Sequence, residues 1–255
     1  ASDRIGLKPD TPVVVTGAGR AAEIGATLTN PTAEPVEVNL SLETPDGETV
    51  ESKVITLGPK AGEHAALPVP AAAGKILDRF ELAISYEGKY ESSSEKATIF
   101  VRRLAEKTGI NTAKMYGYAN DVYVLSDDSL EVTVDPQRGG RILEIYDRHT
   151  GKNQITVPYD RLAGLHNIAF YYCIWDEVRG PHGFGIGRNT PYRVNVLPDG
   201  LELSAENPGK LAVTKKITLG NRGILNLDVT VKNLNAAPVK CSWYMHPEYT
   251  VGGEA

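Results

Sequence analysis

The feature that most constrains this chain is a period of two. Val36, Val38, Leu40 and Leu42 alternate with polar residues and stop at Pro45-Asp46-Gly47, and Ile24, Ala26 and Leu28 repeat the pattern upstream. Successive side chains of a strand point to opposite faces, so an apolar residue at every second position makes a strand buried on one side. Further runs fall at 11–16, 54–57, 65–69, 80–86 and 97–101, separated by turn residues at the spacing of a β-sandwich. No helical period competes with them. The chain is expected to be all-β.

After residue 118 the runs resume and lengthen, at 122–125, 130–134, 141–146, 168–175, 192–197, 201–205, 211–219, 224–233 and 239–245. Asp199-Gly200 and Asn221-Arg222-Gly223 stand where hairpin turns are needed. Long antiparallel strands joined by tight turns indicate a second, larger sandwich. A chain of 255 residues exceeds the usual size of one domain. The expected organisation is a first sandwich over 1–103, a polar linker over 104–117 that has room for a short helical turn, and a second sandwich over 118–255.

Composition excludes several classes. A net charge of −5, with acids and bases interspersed, offers no concentrated basic surface for phosphates, so nucleic acid is not the expected partner. Apolar runs are short and broken by Pro or Gly, which leaves no helical membrane span. Val13-Val-Val-Thr-Gly17-Ala-Gly19 resembles a strand entering a dinucleotide-binding turn, but such a site needs a helix after it. The following residues alternate instead, and a hairpin turn is expected there. No CxxC, HExxH or other metal-ligand spacing is present, so neither metal nor cofactor is expected. Cys173 and Cys241 are read as two buried thiols in preference to a disulfide, which the sequence leaves open.

Chemistry concentrates near the end of the second region. Trp243 to Tyr249 reads Trp-Tyr-Met-His-Pro-Glu-Tyr, placing an indole, two phenols, an imidazole and a carboxylate on the end of an expected strand. Aromatic faces suit the apolar side of a pyranose, and His246 and Glu248 suit hydrogen bonding or proton exchange with its hydroxyls. Tyr244 and Tyr249 join that group. Trp175-Asp176, at the end of an aromatic-rich run, forms a second stacking and hydrogen-bonding edge. Arg141, after Gly139-Gly140, and His182, in the glycine-rich stretch 180–188, complete the candidate set. Each has a plain structural alternative: a satisfied histidine, a strand-end ion pair, a core strand that turns polar.

Two resemblances add to this reading. The phrase Thr29-Asn-Pro-Thr-Ala-Glu-Pro-Val-Glu-Val, with the later Thr-Pro-Asp-Gly turn, resembles immunoglobulin-like modules that stand beside sugar-binding or catalytic domains in extracellular bacterial proteins. Asp135-Pro-Gln-Arg-Gly-Gly-Arg141-Ile with Asp147-Arg-His-Thr-Gly151, Gly180-Pro-His182-Gly-Phe-Gly, and Asp228-Val-Thr-Val-Lys-Asn233 leading to His246-Pro-Glu-Tyr249 resemble the first part of a galactose-mutarotase-like β-supersandwich. In the aldose 1-epimerases of that family a His protonates the ring oxygen and a later Glu accepts the anomeric proton. The resemblance implies His246 as that acid and His182 as a second catalytic, sugar-contacting histidine. Met245 and Pro247-Glu248 depart from the family motif, and no residue after His246 takes the place of its base. The second region is thus expected to be the N-terminal part of a larger domain. Its open sheet edges would be covered by the rest of the polypeptide or by a second subunit.

Taken together, the sequence implies a secreted or periplasmic bacterial protein with an immunoglobulin-like sandwich followed by part of a mutarotase-like sandwich. Carbohydrate is the expected partner, within a polysaccharide-processing protein. One rival is a sugar enzyme with His246 as general acid, an epimerase, lyase or glycoside hydrolase. The other is a structural or adhesive protein whose aromatic residues are all core.

Overall fold

A computed structural model describes residues 4–17, 23–87, 92–155, 159, 173–180, 185–187, 189–208 and 210–249. The fold is all-β: the twenty elements among these residues are strands. The chain divides into two compact units, Ala1–Leu104 and Ala105–Ala255.

In the first unit the strands are β1 (Gly6–Pro9), β2 (Val13–Thr16), β3 (Glu23–Thr29), β4 (Val36–Glu43), β5 (Thr49–Leu57), β6 (Gly62–Pro68), β7 (Lys75–Glu87) and β8 (Ser92–Arg103). One sheet is ordered β1-β3-β6. The other runs β2-β8-β7-β4-β5, antiparallel except for the β2–β8 pair. Ile24, Ala26 and Leu28 of the first sheet and Val38, Leu40, Leu42, Leu82, Ile84, Ile99 and Val101 of the second share one core, which makes this unit a β-sandwich. Asn30 ties its loops down: Nδ2 donates to Glu34 O at 2.8 Å and Gly58 O at 2.9 Å, while Oδ1 accepts from Thr32 N at 2.9 Å. The same Nδ2 donates to the buried Leu57 O at 3.3 Å, so the Asn-Pro-Thr phrase satisfies loop backbone groups that would otherwise be left unpaired.

The hairpin expected around Gly17 is corrected. β2 pairs with β8 and β3 with β1 and β6, so the chain changes sheets between β2 and β3. Both strands alternate, and alternation fixes which face is buried without fixing which strand is the neighbour. Residues 18–22 themselves lie outside the described residues.

The second unit contains β9 (Gly109–Met115), β10 (Val122–Ser126), β11 (Leu130–Asp135), β12 (Arg141–Asp147), β13 (Lys152–Asn153), β14 (Ile174–Arg179), β15 (Gly185–Ile186), β16 (Arg193–Val196), β17 (Gly200–Asn207), β18 (Leu211–Gly220), β19 (Ile224–Asn233) and β20 (Ser242–Pro247). One sheet passes from β9 through β10, β11 and β12 to β14, with β20 on the far side of β14. The other is the meander β16-β17-β18-β19. Val132, Val134, Ile142, Ile145, Ile174 and Val178 of the first pack with Leu201, Leu203, Leu211, Val213 and Ile217 of the second. Ile142 and Ile145 are three residues apart yet both reach this core, because the β11–β12 register shifts between Thr133 and Val134 and leaves Leu143 without a partner.

β9 lies in the stretch read from sequence as a linker, and no helical turn forms there. Ala113 and Met115 are buried while Asn111, Thr112 and Lys114 are exposed, a two-residue pattern too sparse in apolar side chains to show in the sequence. The aromatic run expected over 168–175 lies outside the described residues up to 172, and the strand there runs on from Ile174 to Arg179. Neither cysteine forms a disulfide. Cys173 is buried just before β14, its thiol pushed up to about 12 by that burial, whereas Cys241 is exposed, against the expectation of two buried thiols.

Candidate functional site

β14 and β20 bring most of the candidate residues together. Their antiparallel register sets Trp175 opposite His246, Glu177 opposite Tyr244 and Arg179 opposite Ser242 on one face. Asp176 opposite Met245 and Val178 opposite Trp243 share the other face, the one that Val178 turns to the core.

On the first face the rings satisfy one another. His246, itself exposed, stacks over Trp175 with centroids 4.3 Å apart and planes 8° from parallel, and the Tyr244 ring stands edge-on to both. Trp175 is left 5% exposed. Tyr244 Oη donates to Glu177 Oε2 at 2.7 Å, Arg179 grips Glu177 through Nε at 2.8 Å, and the Arg179 guanidinium lies 5.1 Å from the Tyr244 ring centroid. Beside them is an open depression of about 360 Å³ lined by Glu177, Arg179, Gly187, Asn189 and Thr190. Half-buried Glu248 and exposed Tyr249 follow β20, Tyr249 bridging to Ile155. His182 lies outside the described residues.

On the core-facing side Asp176 is 5% exposed. Its Oδ1 takes an ion pair from Lys215 of β18, and its Oδ2 accepts from Trp243 Nε1 at 2.9 Å. Trp243 opens the aromatic run read from the sequence, whereas Lys215 is not among the residues singled out there. Lys215 falls in phase with Leu211, Val213 and Ile217, so the alternation of β18 turns it inward, where the facing carboxylate of Asp176 meets its charge.

Arg141, 2% exposed, donates through Nε to Arg138 O at 3.0 Å and through Nη2 to Asn189 Oδ1 at 3.3 Å. Nearby, Asp135 Oδ1 accepts from Gln137 N at 2.9 Å, but the buried Oδ2 meets no partner among the described residues. Burial raises the Asp135 carboxyl above its ordinary range, outweighing the opposing pull of the Gln137 amide and of Arg138 and Arg141. A carboxyl raised in this way binds its proton more tightly folded than unfolded. It therefore supports folding below the usual carboxylate range and opposes it as pH rises through its folded value. Asp135→Asn keeps an acceptor for Gln137 and should raise the urea midpoint at neutral pH. That gain should vanish in acid, as seen by paired urea melts.

The last feature is an open side. All ten residues of β19 pair with β18 in unbroken register, and no other strand pairs with β19 among the described residues. Leu225, Leu227, Val229 and Val231 alternate along it, turned toward the core but only half buried. On the other sheet β20 has β14 as its strand partner among the described residues, and its core-side residues Trp243 and Met245 remain 45% and 38% exposed. Natural edges are blunted by Pro, bulges, short length or inward-pointing charge. β19 has none of these on its inward face, and its charges Asp228 and Lys232 sit on the exposed face. The Leu-x-Leu-x-Val-x-Val alternation was legible in sequence; the strand's position at an edge was not.

No protein-family model matches the chain, and no curated protein sequence matches it. Among solved structures it is similar to the YadV chaperone (TM-score 0.33, 10% identity, covering 91% of this chain and 100% of that one). It is similar also to the E. coli chaperone DraB (0.33, 13%, 90% and 97%) and to a Salmonella enterica complex of SafA pilin with the SafB chaperone (0.32, 10%, 92% and 99%). At such scores no activity is carried over. The expectation of a galactose-mutarotase-like domain is nonetheless corrected, since the similar structures are of chaperones. With it go the readings as carbohydrate-binding protein, as sugar enzyme with His246 as acid, and as adhesive protein. For the sugar readings there is also a physical reason at Trp175, where the chain's own His246 stacks on the ring. No helix among the described residues is long and apolar enough to cross a membrane.

Proposed function

We propose that this chain is a non-catalytic protein-binding module that accepts an extended segment of a partner protein along the open side of its second unit. The observation that carries the reading is β19: ten residues long, register unbroken, with four inward apolar side chains only half covered. A partner strand laid along it would gain main-chain hydrogen bonds from the edge that no strand among the described residues occupies. Side chains alternating in the partner would complete the cover over Leu225, Leu227, Val229 and Val231, with Trp243 and Met245 available from the facing sheet. The preferred partner segment is therefore extended, free of Pro, and apolar at every second position. A secreted or periplasmic location remains part of this proposal.

The test is titration of the chain with a synthetic extended peptide as long as β19, alternating Val and Thr and ending in lysines. Binding is expected, and Leu227→Lys or Val229→Lys should weaken it by about tenfold each, the scale of one apolar side chain left uncovered. Asp228→Asn on the exposed face should change little, and tryptophan fluorescence checks that each variant is folded. Absence of binding, or binding indifferent to Leu227→Lys, would overturn the reading.

A further inference from the structure

A deeply buried charged pair joins the two sheets of the second unit. Lys215 of β18 is 1% exposed and Asp176 of β14 5%. Nζ is in direct contact with Oδ1 and also donates to Gly139 O at 2.6 Å. The Tyr192 ring centroid lies 4.6 Å from Nζ, and Trp243 Nε1 donates to Oδ2, the other carboxylate oxygen, at 2.9 Å. An amine and a carboxyl are thus held against each other with fixed donors and acceptors on both. Such placement replaces a bimolecular encounter with a positioned one, the condition under which slow reactions become fast. Burial also lowers the Lys215 ammonium from its ordinary range, although Asp176 opposes this, and so favours the neutral amine that reacts.

We propose that Lys215 and Asp176 condense into an amide in the folded chain, a covalent bond between β18 and β14. Nζ passes a proton to Oδ1, leaving a neutral amine beside a neutral carboxylic acid. The nitrogen lone pair attacks Cγ, forming the Nζ–Cγ bond, and negative charge develops on Oδ2, where the Trp243 N–H already donates. Collapse of this adduct breaks the Cγ–Oδ1 bond. Oδ1 departs as water after taking a second proton from the nitrogen, so one ammonium and one carboxylate become one amide and one water. No oxidant, reductant or added reagent enters. Gly139 O holds the remaining N–H and turns the lone pair toward Cγ. This inference is independent of the strand-accepting reading.

The experiment is intact mass spectrometry of the unmodified chain, denatured after standing folded at neutral pH, followed by tryptic mapping. The expected mass is that of the sequence less one water. Trypsin should fail to cut between Lys215 and Lys216, and the digest should contain a branched peptide joining the segments that carry residues 176 and 215. Lys215→Arg should restore the full sequence mass. A chain of full sequence mass overturns the proposal, and so does a water loss that maps elsewhere, for instance to Asp199-Gly200.

Discussion

Glu131→Ala is expected to destabilise the second unit by about 3–5 kcal/mol, the usual cost of removing one partner of a buried ion pair. Glu131 of β11 is fully buried, and its Oε2 accepts from Ala105 N at 2.7 Å and from Arg148 Nη1 at 3.3 Å. Arg148 in turn donates through Nη2 to Ala105 O at 2.8 Å. Both backbone groups of Ala105 are therefore clamped by a single acid–base pair. Alanine leaves a largely buried guanidinium without its carboxylate and the Ala105 amide without its acceptor. Trp175 and Trp243 are the chain's two tryptophans and both belong to this unit, so its unfolding can be followed by their fluorescence. The melting temperature should fall by about 10 °C, given about 2–4 °C per kcal/mol for a protein of this size. Glu131→Gln retains an acceptor oxygen and should lose less. A cost for alanine under about 1 kcal/mol would mean that the clamp contributes no more than an exposed pair.

In the first unit the largest effect is expected at Leu82. It lies in the middle of β7, opposite Leu42 of β4 and Ala97 of β8, fully buried in the shared core. Leu82→Ala removes buried methyl groups from a site walled by strands on both sides, which limits collapse of the cavity. A loss of about 2–5 kcal/mol is expected. It should appear as earlier amide exchange across β4, β7 and β8. Val54→Ala, 59% exposed on β5 of the same sheet, is the control and should stay within about 0.5 kcal/mol. Equal effects at the two sites would contradict the core assignment.

These contrasts show how far the sequence is legible. Alternation gave the all-β class and the inward residues, because the two-residue period is a property of a single strand: Val38, Leu40 and Leu42 are buried, as the pattern requires. Strand neighbours are a property of the whole sheet, and there the reading failed, with β2 pairing to β8 in place of β3. At the candidate site the sequence brought Trp175, Tyr244 and His246 into one group, and they are in contact. It could not show that these rings would cover each other, since Trp175 and His246 are far apart in the chain and meet only through the β14–β20 register. Asp176, read from the sequence as part of a hydrogen-bonding edge or of a core strand that turns polar, lies against Lys215. Its neighbour in sequence points the other way, and one position along a strand is the difference between outside and core.

The strand-accepting claim is tested most directly by amide hydrogen exchange over residues 224–233, with and without the alternating Val/Thr peptide. In an antiparallel edge, successive amides point alternately toward the paired strand and away from it. In the free chain the amides of β19 directed at β18 should be protected and those between them should exchange as open backbone. Adding the peptide should slow the outward set while leaving the inward set unchanged. Outward amides already protected in the free chain, or unaltered by the peptide, would contradict an open edge that takes a partner strand.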